Sequence, residues 1–132
     1  MVAREDLYIM SKFKFGKKSL SKLKGVNNKL VILATHALAT TTVDFSVTDG
    51  KRSLERQRKL VADGKSRILK SNHLTGKAID VFPVGGTWNK DDPKWFCLVE
   101  VFKHSAETLG FEIEFGYDWG WDFPHIELKK GE

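Results

Sequence analysis

The sequence predicts an α+β fold: a small antiparallel or mixed sheet with helices packed on one face. Three observations carry this expectation. Apolar and polar residues alternate over 43–48 and 111–115, the period of half-buried strands. Apolar residues recur at helical spacing over 30–38 and 95–109. The predicted order is helix, strand, helix, strand, helix, strand, strand, without an internal repeat or low-complexity segment.

The length of 132 residues fits one domain with one core. Nine Phe and four Trp exclude disorder of the whole chain. No run of about 18 apolar residues is present, so no spanning helix is expected. No apolar stretch follows the first basic residues, so no signal peptide is expected. Residues 1–9 look unlike the rest, and Met10-Ser11-Lys12-Phe13 reads like a second, natural start. The domain is therefore expected over 10–132, with 1–9 an upstream extension or a cloning remnant.

The net charge of +5 favours polyanionic partners without choosing among them. Much of it falls early, at Lys12, Lys14, Lys17, Lys18, Lys22 and Lys24, where a solvated face is an equal explanation. These lysines lie in a basic lead-in, 12–25, anchored by Phe13, Phe15, Leu20 and Leu23. Asn27 or Asn28 can cap the first helix, whose apolar stripe is Leu30, Leu33, Ala34, Ala37 and Leu38. His36 lies beside that stripe and has no second ligand at i+4, which argues against a metal role.

Thr40 to Thr42 weaken the helix, and Val43, Phe45 and Val47 then alternate with Asp44, Ser46 and Thr48 as a strand. Asp49-Gly50 turns the chain. A short helix follows over 54–63 with Gly64 as its C-cap, then a basic loop over 65–70. Ala78-Ile79-Asp80-Val81-Phe82 is the second strand. Asp92-Pro93 starts a long helix whose buried face is Trp95, Leu98, Val99, Phe102, Ala106 and Leu109, ended by Gly110. His104 falls on its solvent side. Cys97, the single cysteine, excludes an internal disulfide and is expected to be a buried small hydrophobe. Phe111, Ile113 and Phe115 make a third strand, 116–121 a loop, and 125–128 a last short strand.

The chemistry gathers in two stretches, Ser71-Asn72-His73-Leu74-Thr75-Gly76-Lys77-Ala78-Ile79-Asp80 and Trp121-Asp122-Phe123-Pro124-His125-Ile126-Glu127-Leu128. A catalytic zinc typically takes three protein ligands and keeps one position for water. His73, Asp80 and His125 supply two imidazoles and a carboxylate of that kind. A turn through Thr75-Gly76 can bring His73 and Asp80 to one pocket, and Ala78 leaves room on the face it shares with Asp80. Hydrolysis by a metal-held water also needs a general base. Asp122, three residues before His125, is the best candidate, with Glu127 and Asp118 as rivals. Arg52, just after the Asp49-Gly50 turn, is the candidate for stabilising an oxyanion.

The pattern Ser71-x-His73-x-x-Gly76-x-Ala78-x-Asp80, with a later Asp122-x-x-His125, resembles the signature of a zinc peptidase family. That family comprises D-alanyl-D-alanine carboxypeptidases and L-alanyl-D-glutamate endopeptidases and is related to the hedgehog signalling domain. Phe13-Lys14-Phe15-Gly16-Lys17, Val43-Asp44-Phe45, Gly50-Lys51-Arg52-Ser53 with Gln57, and Phe115-Gly116-Tyr117-Asp118-Trp119 extend the likeness to the family's small phage endolysins, across nearly all of 12–129. The resemblance implies one zinc ion on His73, Asp80 and His125, with Asp122 as base. It further implies Arg52 as a substrate or oxyanion contact and Ser71 as a substrate contact. Tyr117 departs from the pattern, where a small residue is expected, and the 119–122 loop is short.

The implied activity is cleavage of the L-alanyl-D-glutamate bond in peptidoglycan stem peptides, by a phage endolysin or a prophage copy. Such an enzyme would be a monomer made in the cytoplasm and acting on the wall after crossing the membrane. A D-alanyl-D-alanine carboxypeptidase shares the same metal site. A non-catalytic, metal-holding wall-binding module is the third alternative, disfavoured by the presence of both Asp122 and Arg52. A nucleic-acid partner is not expected, because no recognised binding motif accompanies the basic charge.

Overall fold

The computed structural model describes residues 11–66 and 71–132. The expected extension at 1–9 and most of the basic loop, 67–70, lie outside the described residues. The elements, in order, are α1 (Lys17–Leu23), α2 (Asn28–Thr40), β1 (Phe45–Asp49), α3 (Leu54–Ala62), a 3₁₀ turn (Asn72–Thr75), β2 (Ala78–Pro83), α4 (Pro93–Leu109), β3 (Ile113–Phe115), a single helical turn α5 (Gly116–Trp119) and β4 (His125–Leu128).

The four strands form one sheet in the order β1-β2-β4-β3, antiparallel at every pair. β4, last in the chain, inserts between β2 and β3. Register then decides the two faces. Val47 opposes Val81, Ile79 opposes Ile126 and Ile113 opposes Leu128, all buried against the helices. Leu30, Leu33 and Ala37 of α2 and Leu98, Phe102 and Ala106 of α4 complete this core. The Phe45 and Phe102 rings meet edge to face at 5.1 Å. The opposite face carries Asp80 across from His125, and Ala78 across from Glu127. One face therefore holds the fold together and the other carries the polar groups.

The long helix follows its sequence signals. Asp92 accepts from the Lys94 N–H at 3.0 Å, Pro93 occupies the first turn, and Gly110 ends the helix. Asn27 caps α2 by accepting from the Lys29 N–H. His104 is exposed, as the stripe required.

Several expectations are corrected. The basic lead-in contains a helix, α1, whose N-terminus has no side-chain cap and no acidic first-turn residue. It is held by packing instead. Leu23 is buried, and Ser19, buried at the edge of β1, accepts the Val47 N–H at 3.0 Å. This covers an otherwise open sheet edge. Leu20, expected as an anchor, is 54% exposed. The 116–121 segment is not all loop, since α5 occupies 116–119. Cys97 is exposed, not buried. It lies off the stripe formed by Trp95, Leu98, Val99 and Phe102.

Candidate metal centre

His73 is delivered by the 3₁₀ turn. The Ser71 hydroxyl caps that turn by accepting the His73 N–H at 3.2 Å. Gly76 ends it with a φ of +74°, a conformation that side chains resist. A Cβ at Gly76 would also lie 2.6 Å from the Gly25 carbonyl oxygen, on the α1–α2 connection. The His73 Nδ1–H donates to the Gly50 carbonyl at 2.8 Å. That leaves Nε2 turned toward Asp80.

Asp80 comes from β2 and His125 from the facing position of β4. His73 Nε2 is 3.3 Å from Asp80 Oδ1, and His125 Nδ1 is 3.5 Å from the same oxygen. On the far side of its ring, His125 Nε2–H donates to Glu127 Oε1 at 2.6 Å. Each imidazole thus spends one nitrogen on an orienting acceptor and offers the other. This is the arrangement in which outer partners fix the tautomer of a ligating histidine. One ligand atom from each of His73, Asp80 and His125 lies within 4.8 Å of the other two. The three could hold a metal ion.

An unmet bond supports that fit. Asp80 Oδ1 is, among the described residues, the buried side-chain polar atom left without a hydrogen-bond partner. Buried polar atoms in that state call for an unseen partner. A cation between the two imidazoles would supply one.

The electrostatics agree. Burial raises the Asp80 carboxyl, but the facing His125 and His73 rings outweigh it and hold the group far below the ordinary range. Burial lowers His125, yet Asp80, Glu127 and Asp122 together push it up to about 9. The cluster therefore draws positive charge to His125 Nδ1, which a proton or a metal ion can satisfy. Glu127 is lowered despite its burial, by its bonds to His125 and Asn72.

The remaining expected residues divide. Asp122 Oδ2 stands 3.7 Å from His125 Nδ1, on the offered side of the ring. Burial first, then the charge of Asp80, raises its carboxyl. Glu127 lies on the opposite side of His125 and is engaged by the ring. Asp118 is turned to Lys103 of α4, 2.8 Å away. Arg52 lies behind Asp80. Its Nε bonds Asp49 Oδ2 at 3.1 Å, its Nη1 bonds Gln57 Oε1 at 2.6 Å, and its Nη2 is 3.9 Å from Asp80 Oδ2. Tyr117, the departure from the family pattern, packs on Phe123 with ring centroids 6.3 Å apart.

The sequence reading missed Asp49 and two tryptophans. A register shift between Val47 and Asp49 places Asp49 opposite Asp80. There it anchors Arg52. Trp119 lies over His125, with ring centroids 5.2 Å apart, and Trp121 lies on Trp119 at 5.8 Å.

Fold and site define a class: a small α+β protein whose antiparallel sheet presents a His–Asp–His set able to hold one metal ion. Comparison with known proteins narrows it. The family described as "Phage L-alanyl-D-glutamate peptidase" matches residues 10–130. The L-alanyl-D-glutamate peptidase of Escherichia phage T5 is 35% identical over 127 residues, which cover 90% of this chain and 91% of that protein. The crystal structure of the Serratia marcescens L-Ala D-Glu endopeptidase ChiX superposes with a TM-score of 0.78 at 34% identity, covering 89% of this chain and 92% of that one. The chain belongs to the phage L-alanyl-D-glutamate peptidase family.

Proposed function

We propose that this chain is a zinc peptidase that hydrolyses the L-alanyl-D-glutamate bond of peptidoglycan stem peptides. The carrying observation is the convergence of His73 Nε2, Asp80 Oδ1 and His125 Nδ1, each histidine held by an acceptor at its other nitrogen. Family membership supplies the bond. Two nitrogens and one carboxylate oxygen are donors that suit zinc. When bound, zinc would lower the pKa of a water molecule toward ~7 and polarise the peptide carbonyl.

The chain's own residues do the rest. Asp122 takes the proton of the attacking water and returns it to the departing D-glutamate amine. Its raised carboxyl suits it to both halves of that transfer. Arg52, held by Asp49 and Gln57, sets Asp80 in place and adds positive charge against the developing oxyanion. Ser71 presents His73 through the turn it caps and borders the site as a substrate contact. We place the working domain at 10–132. We place its action at the cell wall, after passage across the membrane; no helix among the described residues is long and apolar enough to span a membrane.

The deciding experiment is mass spectrometry of soluble products from purified peptidoglycan, with and without chelator. New N-terminal D-glutamate that disappears on chelation is expected. Free D-alanine instead would make the chain a D,D-carboxypeptidase. Product formation indifferent to chelator would end the metal mechanism, and metal binding without any product would leave a wall-binding module.

A further inference from the structure

The helical turn α5 leads directly into the segment that carries Asp122, and two large aromatic rings flank Gly120 at this junction. Trp119 is 39% exposed and Trp121 is 68% exposed. Gly120, at φ +91°, reverses the chain between them so that the two indoles meet at only 32°. The pair begins at a proposed metal ligand, because Trp119 lies over the His125 ring with an interplanar angle of 36°. It ends in solvent. The other strongly exposed tryptophan, Trp88, is placed differently, packed on Phe82 and Trp95. Large aromatic surface left open beside a reactive centre marks a binding site.

The substrate's chemistry says what would lie there. This step rests on the cleavage proposed above. In peptidoglycan, L-alanine is amide-linked to the lactyl group of N-acetylmuramic acid. A bond cut after that alanine therefore lies within one residue and one short acyl group of a sugar ring, a reach of roughly 7 Å if extended. A pyranose presents a face of axial C–H groups, which matches the negative face of an indole. The ring centroids step 5.2 Å from His125 to Trp119 and a further 5.8 Å to Trp121, so the inner ring of the pair lies within that reach of a proposed ligand.

We propose that Trp119 and Trp121 form a sugar-stacking subsite for the N-acetylmuramic acid ring that precedes the scissile bond. The enzyme then recognises the glycan-attached stem, in preference to a stem peptide already freed from sugar. Trp121 is the specificity-determining member, since it stacks on Trp119, one ring further out than the ring that lies over His125, and is 68% exposed.

The test uses the zinc-loaded full chain. The disaccharide product, N-acetylglucosaminyl-N-acetylmuramoyl-L-alanine, is titrated while the indole resonances are followed by NMR. Wild type, Trp121→Ala and Trp121→Tyr are compared, and the sugar-free stem tetrapeptide is titrated in parallel. Trp121→Ala is expected to weaken the disaccharide product by roughly tenfold, the scale of one aromatic contact. Trp121→Tyr should recover most of it, and the sugar-free peptide should lose distinctly less. Equal affinity of wild type and Trp121→Ala for the disaccharide product would overturn the subsite. So would the absence of wild-type binding, or an equal loss on the sugar-free peptide. Turnover of the disaccharide tetrapeptide by wild type is measured separately. If it is not cut while the product still binds through Trp121, the cleavage proposal fails and the subsite stands.

Discussion

Replacing Glu127 with Ala separates the two carboxylates that compete for the role of base. Glu127 accepts the His125 Nε2–H at 2.6 Å, and its side chain is 16% exposed. Removing it frees the imidazole to rotate and lowers the basicity of Nδ1, the atom offered to the metal. Loss of such an outer partner typically costs 10–100-fold in metal affinity, or about 1.4–2.8 kcal/mol. Glu127→Gln keeps an acceptor without the charge and should fall between wild type and Glu127→Ala. Zinc affinity is measured by competition with a chromophoric chelator, and turnover is measured at saturating zinc. Weaker zinc binding with turnover largely restored at saturation is expected. Unchanged zinc affinity with turnover lost would refute the reasoning and make Glu127 the base.

The converse variant, Asp122→Asn, should bind zinc nearly as well as wild type and lose about 10²–10⁴ in kcat, the usual share of general-base catalysis; full activity would return the role to Glu127. Metal binding should release protons. His125 is pushed up to about 9 without metal, so near pH 7 it carries a proton that zinc must displace. Affinity should therefore climb with pH up to that value and fall below it, and calorimetry at pH 7 in buffers of different ionisation enthalpy should report about one proton released. No buffer dependence would contradict the charge assignment at His125. Gly116→Ala should damage both fold and activity, because a Cβ there would meet the Asp122 carbonyl oxygen at 1.9 Å and His125 Cβ at 3.0 Å. A Tm and a turnover matching wild type would show that this contact relaxes freely.

What the sequence disclosed follows from the range of each signal. The long helix was legible because its cap, its Pro, its stripe and its terminal Gly lie within one continuous segment. Asp80 and Ala78 were legible as one face because strand alternation is local. α1 escaped because its single buried apolar residue, Leu23, makes no stripe, and its stability comes from Val47, 28 positions beyond Ser19. Asp49 escaped because strict alternation puts it on the face of Val47. Only pairing with β2 reveals the irregularity that turns it toward Asp80. The exposure of Cys97 was available, since it falls outside the 95, 98, 99, 102, 106 spacing, but the apolar run around it masked the period. The separation of Asp122 and Glu127 to opposite sides of His125 has no local signature at all.

The ligand set is rigid for reasons that lie in the backbone. Gly50 lends its carbonyl to His73 from a position where the Lys22 main chain fills the space a side chain would need. A methyl there would lie 1.8 Å from the Lys22 carbonyl oxygen. Gly76 meets the same N-terminal segment from the other side of the turn, and its carbonyl accepts the Asn27 N–H at 2.8 Å. The end of α1 and the α1–α2 connection thus pack against Gly50, which holds the His73 ring, and against Gly76, which ends the His73 turn. Gly116 does the same for the other half of the site by receiving the backbone of Asp122. Each close approach fixes a main-chain position from which a proposed ligand or the proposed base projects. Small displacements of such groups are costly, because a reacting centre tolerates little error in the placement of its catalytic groups. The basic N-terminal segment is therefore more than a charged surface. It packs against the two glycines that hold the ring and the turn of the first histidine.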